Sequence, residues 1–276
     1  MLIKFFKFIL ILLLYQSPLY SKNKTLDDFN SSHLSSYFSG IVAYENQDNY
    51  KALKFFRSSK SLIKQHNIYL KRYIYSLVLE GNVQIATNEI KQNLTEKNSK
   101  FFEAHLLLAL DSIKKKKYKK SKKHLDESAA FIKNDNISLI ILETLKQYLY
   151  VFEENKIPST TKKYGNFSLI NEVFQRCYLN DKNTKTYFNS IINVNDREDY
   201  SRYIFFYINY LIENNKYDEA KKITNNLDYL ISPLLISQGK KWIEDKESNR
   251  LKKIFSCRNS EHIISEFFFL VANLYS

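Results

Sequence analysis

Residues that end and reverse secondary structure are rare in this chain. Its 276 residues include 4 Gly and 3 Pro, against 21 Tyr and 20 Phe. An all-β sandwich or barrel needs a turn every ~8–12 residues, and dinucleotide folds and P-loops are built on Gly-rich turns. Because 44% of the residues are hydrophobic, the chain can bury a large core, which argues against disorder. The sequence therefore predicts an all-α protein of long helices joined by short polar turns.

Small residues recur along the chain at a nearly constant interval. Ala52, Ala86 and Ser121 are separated by 34 and 35 residues, and each follows an apolar run and a polar turn. A large apolar residue stands four positions after each of them: Phe56, Ile90 and Leu125. Positions i and i+4 share one helix face, so the small residue lets two helices approach while the large one fills the adjacent groove. A fourth unit has Tyr217 and Ala220 after a polar turn.

This pattern resembles the tetratricopeptide repeat (TPR) family, in which a small residue stands at the eighth position of a unit and Ala near the twentieth. Gly40 with Ala52, and Ala109 with Ser121, keep that spacing. The chain is also similar to exported TPR proteins of alphaproteobacteria. The resemblance implies a right-handed superhelix of antiparallel helix pairs. An ordinary irregular helical domain is the alternative.

The turn-rich residues 156–167, which contain Pro158 and Gly165, divide the helical part of the sequence. At 134–157 we expect one further helix pair, whose turn is poorly marked in the sequence. The predicted organisation is a signal peptide at 1–21, a flexible leader at 22–32, TPR-like repeats at 33–155, a loop or linker at 156–167, and further repeats at 168–276 with the last one incomplete.

The N-terminus has the pattern of a secretory signal peptide. Lys4 and Lys7 precede eight apolar residues at 8–15, and Ser21 offers a small residue for cleavage. Eight residues are too few to span a bilayer, which needs ~20. We therefore expect a periplasmic or secreted protein that begins near Lys22 and contacts the membrane only transiently, through the signal peptide. A buried first helix or an uncleaved anchor is the alternative.

The charge of the chain is strongly basic but rich in lysine. The net charge is +13, and 35 of the 42 basic residues are Lys. Proteins that read nucleic acids favour Arg, so we expect no nucleic-acid partner. Residues 114–123 hold eight Lys in ten positions. They fit a solvated interhelical turn better than a site for anionic lipid, with Tyr118 and Ser121 facing inward.

No catalytic, cofactor or metal signature is found. The chain lacks a His-Glu-x-x-His motif, a Gly-x-Ser-x-Gly elbow and a Walker motif, and its five His have no ligand-like spacing. We predict no catalytic residue, no metal site and no cofactor. We expect Cys177 and Cys257 to be two buried free thiols. The alternative is a disulfide between them, which an exported protein could form.

The TPR resemblance supplies candidate binding residues. In that family the first helix of each pair lines a concave surface, which places Tyr37, Tyr44, Lys71, Tyr75, Arg202, Phe205 and Asn209 on it. Aromatic residues beside cationic or amide groups suit an extended peptide or a partner helix. We expect a non-enzymatic scaffold that binds a protein or peptide partner, in envelope assembly. The alternative is the helical accessory region of a peptidoglycan-acting enzyme whose catalytic part lies outside this chain.

The last segment carries a wide apolar stripe at helical spacing. Its members are Ile263, Ile264, Phe267, Phe268, Leu270, Val271 and Leu274. A TPR-like first helix needs a second helix to cover it. The stripe therefore predicts either a longer repeat protein or burial by another chain, with association through this helix.

Overall fold

The structure is a computed structural model that describes residues 30–64, 66, 68–93, 100–133, 135–159, 163–192, 201–226, 233–245, 250 and 253–273. All secondary structure in these ranges is helical, which confirms the predicted all-α class. The predicted signal peptide lies outside the described residues. The chain divides into two compact units, residues 1–86 (unit 1) and 87–276 (unit 2).

Thirteen α-helices are described. They are α1 Ser31–Glu45, α2 Asn49–Ser58, α3 Tyr69–Leu79, α4 Val83–Gln92, α5 Phe102–Lys114, α6 Tyr118–Ser128, α7 Asn136–Glu154, α8 Asn166–Tyr178, α9 Thr184–Ile192, α10 Ser201–Glu213, α11 Tyr217–Asn226, α12 Pro233–Glu244 and α13 Ser260–Asn273. Short 3-10 helices follow α2 and α6, at Lys60–Lys64 and Ala129–Phe131. The unit boundary falls inside α4.

The same turn ends five of the described helices: α1, α3, α5, α8 and α10. Each turn contains one residue with a left-handed backbone, with φ between 52° and 73°: Gln47, Gly81, Lys116, Asn180 and Asn215. The next residue donates its N–H to the carbonyl five positions back, over 2.7–2.9 Å, and the left-handed residue donates to the carbonyl three positions back. This is the Schellman motif, which satisfies the last carbonyls of a helix. Four of the five turns form it without Gly, which explains how so Gly-poor a chain reverses so often.

The turns also show where the sequence pattern was incomplete. The left-handed residues follow one another by 34 residues from Gln47 to Gly81, by 35 to Lys116, and by 35 from Asn180 to Asn215. Sequence reasoning did not identify the turn at Asn180. The helix pair expected at 134–157 is wrong, because α7 runs through 19 residues as a single helix. Its start is capped by Asp135, whose Oδ1 accepts from the Ile137 N–H at 3.0 Å.

The predicted pairing of small and large residues is confirmed. Ala52, Ala86, Ser121 and Ala220 are fully buried, as are Phe56, Ile90 and Leu125. A Cβ added to Gly40 would lie 2.9 Å from two ring carbons of Phe56, so α1 approaches α2 too closely for a larger residue. In unit 2 the Ser121 hydroxyl donates to the Ala109 carbonyl at 3.0 Å, which joins α6 to α5.

The favoured prediction of two free thiols is wrong. Cys177, at the end of α8, forms a disulfide with Cys257, which precedes α13. The two Cα atoms are 5.7 Å apart although 80 residues separate them in sequence. Both side chains are buried. No local pattern predicts this pairing, because it depends on how the last segment returns to α8.

The C-terminal stripe is covered by the chain itself, so the prediction of an uncovered stripe is wrong. Helix α13 packs against α5, α7 and α8 within unit 2. Ile263, Ile264, Phe267 and Val271 are buried there, while Leu274 lies outside the described residues. The Phe267 ring meets the Tyr148 ring of α7 edge-on, with centroids 6.0 Å apart. One helix from the far end of the sequence thus completes the core of unit 2.

Candidate functional site

A groove between α10 and α13 is the strongest candidate binding surface. Its volume is about 490 Å³, and the segment at 254–255 forms one side of it. Two of the residues expected from the sequence, Arg202 and Phe205, line it. We call this surface the α10–α13 groove.

An ion pair lies at the centre of the α10–α13 groove. The Nε of Arg202 lies 2.7 Å from Oε1 of Glu266, and Nη2 lies 2.5 Å from Oε2. This two-pronged geometry is the strongest form of the pair, and it raises the pKa of Arg202 through the hydrogen bonds to Glu266. Glu266 is only 3% exposed, whereas the Arg202 side chain is 47% exposed. The carboxylate is thus compensated inside the protein while the guanidinium stays accessible.

Apolar side chains surround this guanidinium. It lies 4.2 Å from the ring centroid of Phe269 and 5.3 Å from that of Phe206, within the range of cation–π attraction. Phe269 is 44% exposed and Ile254 is 51% exposed. Exposed apolar residues around an accessible cation offer a partner both buried area and a directional contact. Such a surface suits an amphipathic peptide or helix.

Four interactions hold the 254–256 side of the groove in place. The disulfide through Cys257 ties it to α8. The Ser256 N–H donates to His262 Nδ1 at 2.9 Å, and Asn209 Nδ2 donates to the Phe255 carbonyl at 3.3 Å. Asn209 is 2% exposed, so this predicted binding residue supports the groove from below. The Phe255 ring stacks on Phe206 at a centroid distance of 3.8 Å.

The other four predicted binding residues belong to unit 1. Tyr37 is buried and its ring stacks on Tyr69, with centroids 5.3 Å apart. Tyr44 is half-buried, and burial raises the pKa of its phenol. The Lys71 ammonium lies 5.3 Å from the ring centroid of half-buried Tyr75. Their part in binding stays a prediction.

Sequence reasoning missed Glu266, Ile254 and Phe269. A signal for Glu266 was present, since it is an acid inside an apolar stripe at helical spacing. A carboxylate on a buried helix face requires a cation from another element. The sequence does not say which cation, because Arg202 lies 64 residues away.

One cluster in unit 2 has the composition of a metal site. His105 of α5, with His124 and Glu127 of α6, place their potential ligand atoms within 4.8 Å of one another. The prediction that the His residues have no ligand-like spacing took into account only residues that are close together in sequence. In a pair of antiparallel helices, a residue a few positions earlier on one helix faces a residue about as many positions later on the other. Because Ala109 faces Ser121, His105 falls almost opposite His124.

The lysine-rich residues 114–123 behave as expected for a solvated turn. They form the end of α5, the turn and the first part of α6. Their Lys side chains are exposed, Tyr118 is half-buried against the core of unit 2, and Ser121 is buried. The run therefore lies where the repeat register predicts an exposed interhelical turn.

No family model, curated protein or solved structure matches the chain. Across the described residues, no helix combines the length and the apolarity that crossing a membrane requires.

Proposed function

We propose that the protein is a non-enzymatic, TPR-like scaffold that binds a protein or peptide partner through the α10–α13 groove. The observation that carries this proposal is the accessible Arg202 guanidinium between exposed Phe269 and Ile254. A single cation within an apolar rim orients a partner that presents an acid or a carbonyl beside apolar side chains. Hot spots of protein interfaces are built from such aromatic residues and arginines.

Two features support the TPR-like architecture. The Schellman turns recur at intervals of 34 and 35 residues, close to the length of a TPR unit. Buried Ala or Ser recurs on the second helix of the pairs, with a buried large residue four positions later at Phe56, Ile90 and Leu125. We therefore propose that the helix pairs stack as a right-handed superhelix.

Export to the periplasm, or secretion, is part of the proposal. The signal-like N-terminus supports it, and so does the disulfide, because disulfides persist in oxidising compartments. N-terminal sequencing of the protein from its native cells should find a chain that begins near Lys22. Met1 retained on a protein from the reducing cytosol would contradict export. Within the envelope, we propose a role in assembly.

Site-specific photo-crosslinking in native cells tests the groove. A photoreactive residue replaces Phe269, and the control replaces Tyr150, which is similarly exposed on α7 at 42%. We expect one discrete protein adduct from position 269, which disappears when Ile254→Asp adds a charge to the groove. Identical adducts from both positions, or an adduct indifferent to Ile254→Asp, would contradict the groove as the binding surface.

A further inference from the structure

We propose that His105, His124 and Glu127 form a binding site for a zinc-class divalent cation, with its remaining coordination position open to water. This His-His-Glu site lies on the α5–α6 helix pair of unit 2 and uses no residue of the α10–α13 groove. The proposal therefore stands independently of the scaffold function.

The helix pair itself brings the three residues together. The hydrogen bond from Ser121 to the Ala109 carbonyl sets the register of α5 against α6. His105 stands four residues before Ala109 and His124 three residues after Ser121, so both His lie one helical turn further along the pair. Glu127 follows His124 by three residues and shares its face of α6. Two rigid helices, joined by a short turn, thus hold all three ligands.

The two distances from the Glu127 carboxylate match those of a tetrahedral site. Oε2 of Glu127 lies 3.3 Å from Nδ1 of His105 and 3.4 Å from Nδ1 of His124. Zinc binds His nitrogen and carboxylate oxygen at about 2.0–2.2 Å, so tetrahedral geometry places two such ligands about 3.3–3.5 Å apart. The same Oε2 therefore stands at the separation from both nitrogens that a shared metal ion requires.

The two imidazoles are buried and face the same carboxylate. His105 is 7% exposed and His124 is 6% exposed, and the Nδ1 of each faces Oε2 of Glu127 without the alignment of a hydrogen bond. Buried polar atoms are almost always hydrogen-bonded, whereas here two nitrogens converge on one oxygen. A cation among the three residues would satisfy both nitrogens at once.

Basic neighbours oppose a cation: Lys123 Nζ lies 3.9 Å from Oε1 of Glu127, and Lys100 and Lys120 also act on the two His. Lys123 nevertheless approaches the other carboxylate oxygen and leaves Oε2 to the ligand.

The chemistry of the donors selects the class of metal. Imidazole ligands suit Zn²⁺ and neighbouring transition metals, whereas Ca²⁺ and Mg²⁺ prefer an all-oxygen shell. Glu127 is 40% exposed, so the site opens to solvent on its side. Three protein ligands with one open position is the arrangement in which zinc binds a water molecule.

Titration of the tag-free, metal-depleted full chain with Zn²⁺ by calorimetry tests the site. We expect about one equivalent to bind, and Co²⁺ to give the intense visible bands of tetrahedral coordination. Glu127→Gln should weaken Zn²⁺ binding by more than about tenfold, since even changes behind the ligands cost about 10–100-fold. Excess Mg²⁺ should not compete.

Asp126→Asn is the matched control. It removes the same charge one position away, where Asp126 pairs with Lys146 at 2.9 Å outside the His-His-Glu site, so Zn²⁺ affinity should stay unchanged. His124→Asn, checked for folding by circular dichroism, should abolish the Co²⁺ bands. No Zn²⁺ binding, or Zn²⁺ binding of equal affinity in Glu127→Gln and in Asp126→Asn, would overturn the proposal.

Discussion

The α5–α6 helix pair and the C-terminal segment at 253–273 are both parts of unit 2, but they are held together differently. In the helix pair, the key contacts join near neighbours: Ser121 bonds to Ala109, 12 residues away, across a Schellman turn. In the C-terminal segment, the disulfide spans 80 residues and the Arg202–Glu266 pair spans 64.

This difference separates two sources of order. A short turn closes the helix pair at little entropic cost, so its register follows from local sequence. The C-terminal segment must return over a long stretch of chain, and covalent, ionic and aromatic contacts offset that cost together. We therefore expect the C-terminal segment to be sensitive to single changes that the α5–α6 pair tolerates.

Loss of the disulfide should have the largest effect. Cys177→Ser with Cys257→Ser removes a cross-link over 80 residues, which costs about 4 kcal/mol of unfolding free energy in the chain-entropy account. Chemical denaturation measures the loss. Hydrogen exchange should then speed up in α13 but not in α6. As a control, reductant should destabilise the native protein and leave the double variant unchanged. Equal protection of α13 with and without the bond would remove the contrast between the two regions.

Arg202→Met should have the second-largest effect on stability. It leaves the Glu266 carboxylate buried and unpaired, at a cost of about 3 kcal/mol, measured by urea denaturation. Arg72→Met is the matched control, because the carboxylate it pairs with at 3.1 Å, Glu45, is 62% exposed and the pair contributes under about 1 kcal/mol. Adding Glu266→Met to Arg202→Met should recover most of the loss. Equal effects of Arg202→Met and Arg72→Met would show that burial of Glu266 does not matter.

Overpacking a helix pair should have a smaller effect. Ala220 is fully buried on α11, which packs against α10 and α12. Ala220→Leu should cost about 2 kcal/mol, because the added carbons have no space. Ala272→Leu, on the exposed face of α13, provides the comparison and should leave the melting temperature unchanged. A neutral Ala220→Leu would count against the repeat register.

The smallest expected effect is an increase in stability. Lys116 has φ of 54°, a conformation that costs a residue with a Cβ about 1–2 kcal/mol. Lys116→Gly should therefore raise the unfolding free energy by about 0.5 kcal/mol after the entropic cost of Gly. Lys119→Gly removes the same charge inside α6, where Gly is destabilising by about 0.5–1 kcal/mol. Equal changes in both variants would mean that the turn imposes no left-handed geometry.

Sequence reasoning succeeded where the signal was local. It found the all-α class, the buried Ala52, Ala86 and Ala220, and the solvated lysines at 114–123. It missed the Asn180 turn, because Asn carries no unambiguous stop signal where Gly is absent. For the groove it named Arg202 and Phe205 but not Glu266, since an ion pair over 64 residues leaves no periodic trace.

By itself the sequence determined the helical class and the pairing of neighbouring helices, because both follow from patterns that repeat within one or two turns. Only the tertiary structure decided that Cys177 meets Cys257, that α13 covers the core of unit 2, and that Arg202 meets Glu266. The physical reason is the separation in sequence between the residues that make each contact. Helix faces and turns depend on residues a few positions apart, whereas these contacts depend on which distant surfaces exclude water from one another.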